Sequence, residues 1–202
     1  MMCARPPILR SALNLIDWQM VNTMNLHLRT LAVAVTIVVL MCSMASAQER
    51  SLPERTSPRP ETTSGVPHTQ IGVEINADLA QLLLERVAQF PGVTLGPTRI
   101  SLPGAIGFQL DPDMLLSQPN SIVGGFEFAH MHPDGSLHAS LHPAMARRAI
   151  EAGWAVGHPW ANQRPGWSGF VMIYTPTTPE ELDVVIDLVE SSYTFITGNT
   201  LG

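Results

Sequence analysis

Apolar residues recur at helical spacing at Leu79, Leu82, Leu83, Val87 and Phe90, with Asn76 placed to cap the run and Pro91-Gly92 placed to end it. This pattern predicts a helix over residues 76–90. Short runs rich in β-formers follow at 93–102 and 105–110, separated by Pro103-Gly104, and then at 122–132 and 137–141, separated by Pro133-Asp134-Gly135-Ser136. Turn residues between apolar runs are hairpin chemistry. Pro143 suits the first turn of a helix over 144–152, and residues 169–174 read as another strand. Thr178-Pro179-Glu180-Glu181 forms a capping box for a last helix carrying Leu182, Val185, Ile186, Val189 and Tyr193. The expected order is αββββαβα. Hairpins dominate, so the expected class is α+β: a mainly antiparallel sheet with helices packed on one face.

Ahead of these elements the pattern changes twice. Met24 to Arg29 is a short, weakly positive stretch, residues 31–44 are almost wholly apolar, and Ala45-Ser46-Ala47 places small residues at a cleavage site. These are the three parts of an export signal. A membrane span needs about 20 apolar residues, and this run is shorter, so residues 1–47 are expected to be a cleaved signal, with translation starting at Met24 or Met20 rather than Met1. A retained anchor is the alternative. The protein is then expected to be periplasmic or secreted, with no stable membrane span after cleavage. Cys3 and Cys42 both fall in the removed part, leaving the mature chain without a thiol or disulfide. Residues 48–70 contain Pro53, Pro58, Pro60 and Pro67 among Ser, Thr, Glu and Arg, with hardly an aliphatic side chain. Such a segment buries too little to offset its ordering entropy and reads as a disordered tether. The folded domain is expected over 71–202.

The chain carries 17 acidic residues against 11 arginines and has no lysine, for a formal net charge of −6. Only Arg147 and Arg148 are adjacent, so the clustered positive charge of a nucleic-acid groove is missing. A small molecule is the expected partner.

The candidate chemistry lies in the histidines, five of seven of which fall between His130 and His158. Alternation along a strand would aim His130 and His132 the same way, together with Phe126 and Phe128. With Pro133 paired to Ser136, His132 lies opposite Leu137 and His130 opposite Ala139. Glu127 would then face His142, and Met131 would face His138, on the other side of the sheet. A one-residue slip would reverse which histidines meet. His-x-His on a strand is a metal-ligand spacing, with His138 or His158 able to complete a transition-metal site. Equally, the same residues could line a pocket without metal, one of them acting as a general base oriented by Glu127 or Asp134. No Gly-x-Ser-x-Gly elbow occurs, so a serine hydrolase has little support. Downstream, His158 sits between Trp154 and Trp160 in a Gly/Pro-rich loop, a setting that suits an aromatic ligand.

Taken together, Glu127-Phe128-Ala129-His130-Met131-His132, Ser136-Leu137-His138, Gly153-Trp154, His158-Pro159, the stretch from Phe170 to Pro176 and Phe195-Ile196-Thr197-Gly198 resemble the fungal-luciferase-like domain family, as a bacterial member of it. The resemblance covers about 70 residues, from Glu127 to Gly198. The fungal members oxidise a hydroxylated styryl-pyranone with molecular oxygen, emitting light and releasing carbon dioxide. The chain departs from the family pattern at Ala155, where a glycine is common, and at Thr177, where an arginine is common. The resemblance implies an exported, oxygenase-like enzyme for a small hydroxylated aromatic or pyranone-like compound, with molecular oxygen as co-substrate. His130, His132, His138, His158 and Glu127 would carry the chemistry, and Trp154 and Tyr174 would help form the substrate pocket. The competing reading is a non-catalytic envelope module that binds a small ligand or a transition metal through the same histidines.

Overall fold

The computed structural model of the chain describes residues 52–201. The expected signal at 1–47, its alternative starts and both cysteines lie outside the described residues. Two short strands, β1 (Glu61–Thr62) and β2 (Gln70–Ile71), pair antiparallel ahead of the main elements. Helix α1 (Ala77–Val87) begins where Asn76 Oδ1 accepts the N–H groups of Asp78 and Leu79 at 3.1 and 3.2 Å, which satisfies donors that the first turn leaves without partners. Strands β3 (Val93–Pro97), β4 (Ile106–Leu110), β5 (Glu127–Met131) and β6 (Leu137–Ser140) follow, then α2 (Pro143–Glu151), β7 (Ala155–Gly157), β8 (Phe170–Ile173) and α3 (Pro179–Thr197). Thr178 caps α3 by accepting the Glu181 N–H, and Gly198 ends it in the left-handed region.

Strands β3 to β8 form one antiparallel sheet in the order β3-β4-β5-β6-β8-β7. One face meets the helices: Phe108, Phe128, Leu137, Ala139, Val171 and Ile173 pack with Leu83 and Val87 of α1 and Val185, Leu188, Val189 and Tyr193 of α3. Tyr193 is fully buried between Phe90 and Phe128, and its hydroxyl donates to Pro91 O at 2.8 Å. The α+β class and its one-sided helix layer are therefore as expected. Besides the short β1–β2 pair, the main sheet gains one strand, β7, read from the sequence as loop. It has three residues, and it is held by pairing with the edge of β8 rather than by an apolar pattern of its own.

The β5–β6 hairpin differs from expectation by one residue. His132 N–H donates to Ser136 O at 2.8 Å, and Gly135 N–H returns to His132 O at 2.9 Å. The turn thus has three residues, Pro133 to Gly135, and Gly135 closes it at φ +82°, a conformation that costs glycine little. His130 consequently pairs with His138, Ala129 with Ala139 and Met131 with Leu137. A second irregularity lies upstream, where Phe108 pairs with Ala129 but Gln109 pairs with Glu127, leaving Phe128 as an extra residue. This β-bulge breaks the alternation. Phe128 turns into the core, contrary to the expected grouping with His130, and Glu127 turns to the histidine face.

Over its described part the expected tether is laid against the domain. Arg55 reaches Glu181 with Nε and a terminal nitrogen, each at 3.1 Å, and donates to Thr175 O at 3.0 Å. Its guanidinium also lies 5.7 Å from the Trp154 ring centre and 5.5 Å from that of Tyr174. Trp154 Nε1 donates to Pro53 O at 2.6 Å, and His68 is buried. Composition fails as a guide here because polar and charged contacts to distant elements, not aliphatic burial, hold the segment. Among the described residues no helix is long and apolar enough to cross a membrane.

The Arg55–Glu181 pair is almost fully buried, at 2% and 5% side-chain exposure. Burial alone would raise the Glu181 pKa, but hydrogen bonds from Arg55, Ser57 and Thr177 bring it down to about 2. Removing one member of a buried pair leaves the other charge without compensation. Arg55→Ala is expected to lower unfolding stability by about 3 kcal/mol, measured by urea denaturation at pH 7. An unchanged midpoint would show that residues 52–70 do not pack as described.

Candidate functional site

On the sheet face away from the helices, β5 contributes Glu127 and His130, the turn contributes His132 and Ser136, and β6 contributes His138. His158 follows β7, held by its N–H to Phe170 O at 3.0 Å. The fifth member, His68, comes from the N-terminal segment. All five histidines are at most 5% exposed. They line a cavity of about 280 Å³ whose apolar walls include Val66, Ile100, Leu102, Val123, Trp160 and Phe170.

The hydrogen bonds define how each ring is held. Glu127 Oε1 lies 2.9 Å from His130 Nδ1 and accepts its proton, while Thr98 and Gln109 donate to the same carboxylate at 2.8 and 3.2 Å. Gly107 makes room for this carboxylate, because a Cβ there would lie 2.5 Å from Glu127 Oε2. His130 Nε2 is 3.1 Å from His138 Nδ1, and His138 Nε2 is 3.3 Å from His68 Nδ1. Ser136 Oγ donates to Asp134 Oδ1 at 2.7 Å and therefore accepts from His132 Nδ1 at 3.0 Å. His158 is oriented the opposite way: its Nδ1 accepts the Trp160 N–H at 3.0 Å, which puts the proton of its neutral ring on Nε2.

Burial favours the neutral form of four of these rings. The pKa of His132 falls from 6.5 to about 4, first through burial and then through repulsion from His130 and His68, against a partial lift from Asp134. His158 falls to about 3 through burial and then through His68, His130 and His132. Burial followed by the neighbouring imidazoles takes His138 well below its usual value, and burial lowers His68. At neutral pH the cavity therefore offers uncharged imidazoles, which present lone pairs and N–H donors. Within two triads, His130–His132–His138 and His68–His138–His158, one ring nitrogen from each residue lies within 4.8 Å of the others, so either could hold a metal ion.

The four histidines and Glu127 expected at the site are thus brought together, with the pairing changed. Glu127 meets His130 rather than His142, which instead caps α2 by accepting the Ala144 N–H at 3.2 Å. Trp154 and Tyr174 do not line the cavity. They flank Arg55, and the indole that does line it is Trp160. Thr177, which stands where the family commonly has an arginine, shares Glu181 with Arg55, and Arg55 also donates to Thr175 O. His68 gave no sequence signal, being a lone histidine in a Pro/Thr-rich stretch.

An antiparallel α+β domain with a buried histidine cavity opposite its helices is the class that fold and site define. The model of the luciferase domain family matches residues 125–192 of the chain. The luciferase of Armillaria mellea is 28% identical over 170 residues, covering 75% of this chain and 63% of that protein. The luciferase of Armillaria ostoyae is 29% identical over 174 residues with the same coverage, and that of Neonothopanus nambi is 34% identical over 82 residues, 38% of this chain and 30% of that protein. The chain spans less than two thirds of the length of these relatives. No solved structure matches it. The family segment contains His130, His132, His138 and His158, and His68 lies outside it.

The lowered pKa values fix the sign of a pH effect. The unfolded chain binds protons near pH 6.5, whereas folded His132 and His158 do so only near 4 and 3. Their share of stability is complete above pH 6.5 and is lost as the pH falls toward 3. Glu181 adds a separate loss lower down, between its ordinary 4.5 and about 2. The thermal unfolding midpoint of chelator-treated protein should decline steadily from pH 7 to pH 4. A flat profile over that range would mean that the histidines are solvated.

Proposed function

We infer that this luciferase-domain protein is an exported, oxygenase-like enzyme acting on a small hydroxylated aromatic or pyranone-like compound in the histidine cavity. Export rests on the signal-like residues 24–47. The observation that carries the chemical reading is the cavity itself, about 280 Å³ with five imidazoles on one side and Trp160, Phe170 and aliphatic walls on the other. That volume lies at the small end of ligand sites, which run from roughly 300 to 1,000 Å³. Flat, mostly apolar molecules with one or two oxygens suit such walls.

The imidazoles divide into two roles. His158 carries its proton on Nε2 and can donate to a substrate oxygen as negative charge develops there. The Nε2 lone pair of His132, whose Nδ1 donates to Ser136, can receive the substrate's hydroxyl proton. With a pKa of about 4 at His132, proton acceptance is favourable only from an acidic hydroxyl. Enols of pyranones and activated phenols meet this condition, and simple alcohols do not. The resulting enolate is the electron-rich form that molecular oxygen, as co-substrate, would oxidise.

The test is oxygen uptake by the mature chain supplied with 4-hydroxy-2-pyranones or catechols. Uptake is expected with at least one of them. Because a single preorganised donor to a developing oxyanion is commonly worth about 10²-fold or more, His158→Asn should reduce the rate about 10²-fold. Saturable binding of these compounds without oxygen uptake would favour the non-catalytic binding module instead.

A further inference from the structure

The tautomers separate the two histidine triads. In the His68–His138–His158 set, the Nδ1 lone pair of His158 is already taken by the Trp160 N–H, and the other nitrogen of the neutral ring bears the proton. His158 therefore presents a donor rather than a ligand. The His130–His132–His138 set has the opposite character. His130 gives its Nδ1 proton to Glu127, leaving the Nε2 lone pair. His132 gives its Nδ1 proton to Ser136, whose hydroxyl is turned by Asp134, again leaving Nε2. His138 can place its proton on Nε2, toward His68 Nδ1 at 3.3 Å, which frees Nδ1.

Each ring thus has its own outer partner, and outer partners of this kind fix the tautomer of a metal-bound histidine. The free nitrogens also have suitable spacing. His130 Nε2 and His138 Nδ1 are 3.1 Å apart, close to the ~3.3 Å edge of a tetrahedron with metal–nitrogen bonds near 2.0 Å. One ring nitrogen from each of the three residues lies within 4.8 Å of the others.

We propose that His130, His132 and His138 bind one divalent first-row transition metal ion through three imidazole nitrogens, with Glu127, Ser136–Asp134 and His68 as their respective outer partners. Three ligands leave at least one coordination position facing the cavity. An ion there takes a substrate oxygen as its anion at the point where the metal-free site would have to protonate a histidine. This inference deepens the proposed oxygenase reading and rests on it for the substrate's role, but ion binding is read without any substrate. Imidazole sets of this kind suit zinc, iron, cobalt, nickel or copper.

Chelator-treated, full-length mature protein would be titrated with cobalt(II) alone, followed by visible absorption, and with zinc(II) alone, followed by elemental analysis after gel filtration. One ion per chain is expected. His132→Asn and His138→Asn should each weaken binding at least tenfold, and Glu127→Gln should weaken it about 10–100-fold, as loss of an outer partner does. His142→Asn and His158→Asn should still bind one ion, with circular dichroism used to confirm that each variant is folded. Failure of wild-type protein to retain either ion would overturn the proposal. So would loss in His158→Asn with retention in His130→Asn, because that result moves the ion to the other triad. Stoichiometric ion binding without oxygen uptake from any tested compound would leave the metal site standing and defeat the oxygenase reading alone.

Discussion

The register of the β5–β6 hairpin is the constraint on which the site depends. Side chains alternate along a strand, so a one-residue slip carries every one of them to the other face. With Gly135 closing a three-residue turn, His130 comes opposite His138, and Leu137 and Ala139 enter the core. A two-residue turn would bring His130 opposite Ala139 and aim His138 at α3. The apolar residues of this short hairpin and the buried imidazoles therefore enforce one arrangement together. The bulge at Phe128 adds what register alone does not supply. It spends one residue to bring Glu127 beneath His130 while still burying the Phe128 ring against Tyr193.

Much of the fold was legible because its signals are local. The Asn76 and Thr178 caps, the Pro143 start of α2 and the apolar stripes of α1 and α3 each follow from a few neighbouring residues, and each is found in place. The site was legible in membership and not in wiring. His130, His132, His138 and His158 could be picked out by their density in one stretch, but their contacts depend on a turn length and a bulge that leave little mark on residue type. Phe128 shows the difficulty: read by alternation it belongs with His130, and only the strand pairing with Phe108 and Gln109 reveals that it does not. The family resemblance implies Trp154 and Tyr174 as pocket residues, Trp154 also as a neighbour of the histidine loop. In space their aromatic faces meet a guanidinium from 99 residues upstream of Trp154.

That long-range contact shows why residues 52–70 mislead when read by composition. Disorder is the right expectation for a segment with few aliphatic residues when nothing else in the chain offers it partners. Here the domain offers several. Glu181 presents a carboxylate between strand and helix, Trp154 presents an indole N–H, and Thr175 exchanges hydrogen bonds with Gln70. None of these is visible from the segment itself. Each is a buried polar group that would be costly without its mate, so the domain needs the segment about as much as the segment needs the domain.

The same reciprocity ties stability to function. Imidazoles withdrawn from water contribute little to folding: at His68, His132, His138 and His158 burial disfavours the charged form, and as the pH falls their suppressed protonation works against the folded state. A core built for stability alone would fill this face with aliphatic side chains, as the opposite face does with Leu137, Val171 and Ile173. Concentrating neutral histidines there, and holding three of them by separate hydrogen-bonded partners, is a stability cost with no structural return. The return is an enclosed set of lone pairs and one oriented N–H facing an apolar wall. Closing that set with His68 requires the N-terminal segment to be seated, so Arg55, which touches none of the histidines, helps complete the cavity by anchoring the strand of chain that delivers the fifth ring.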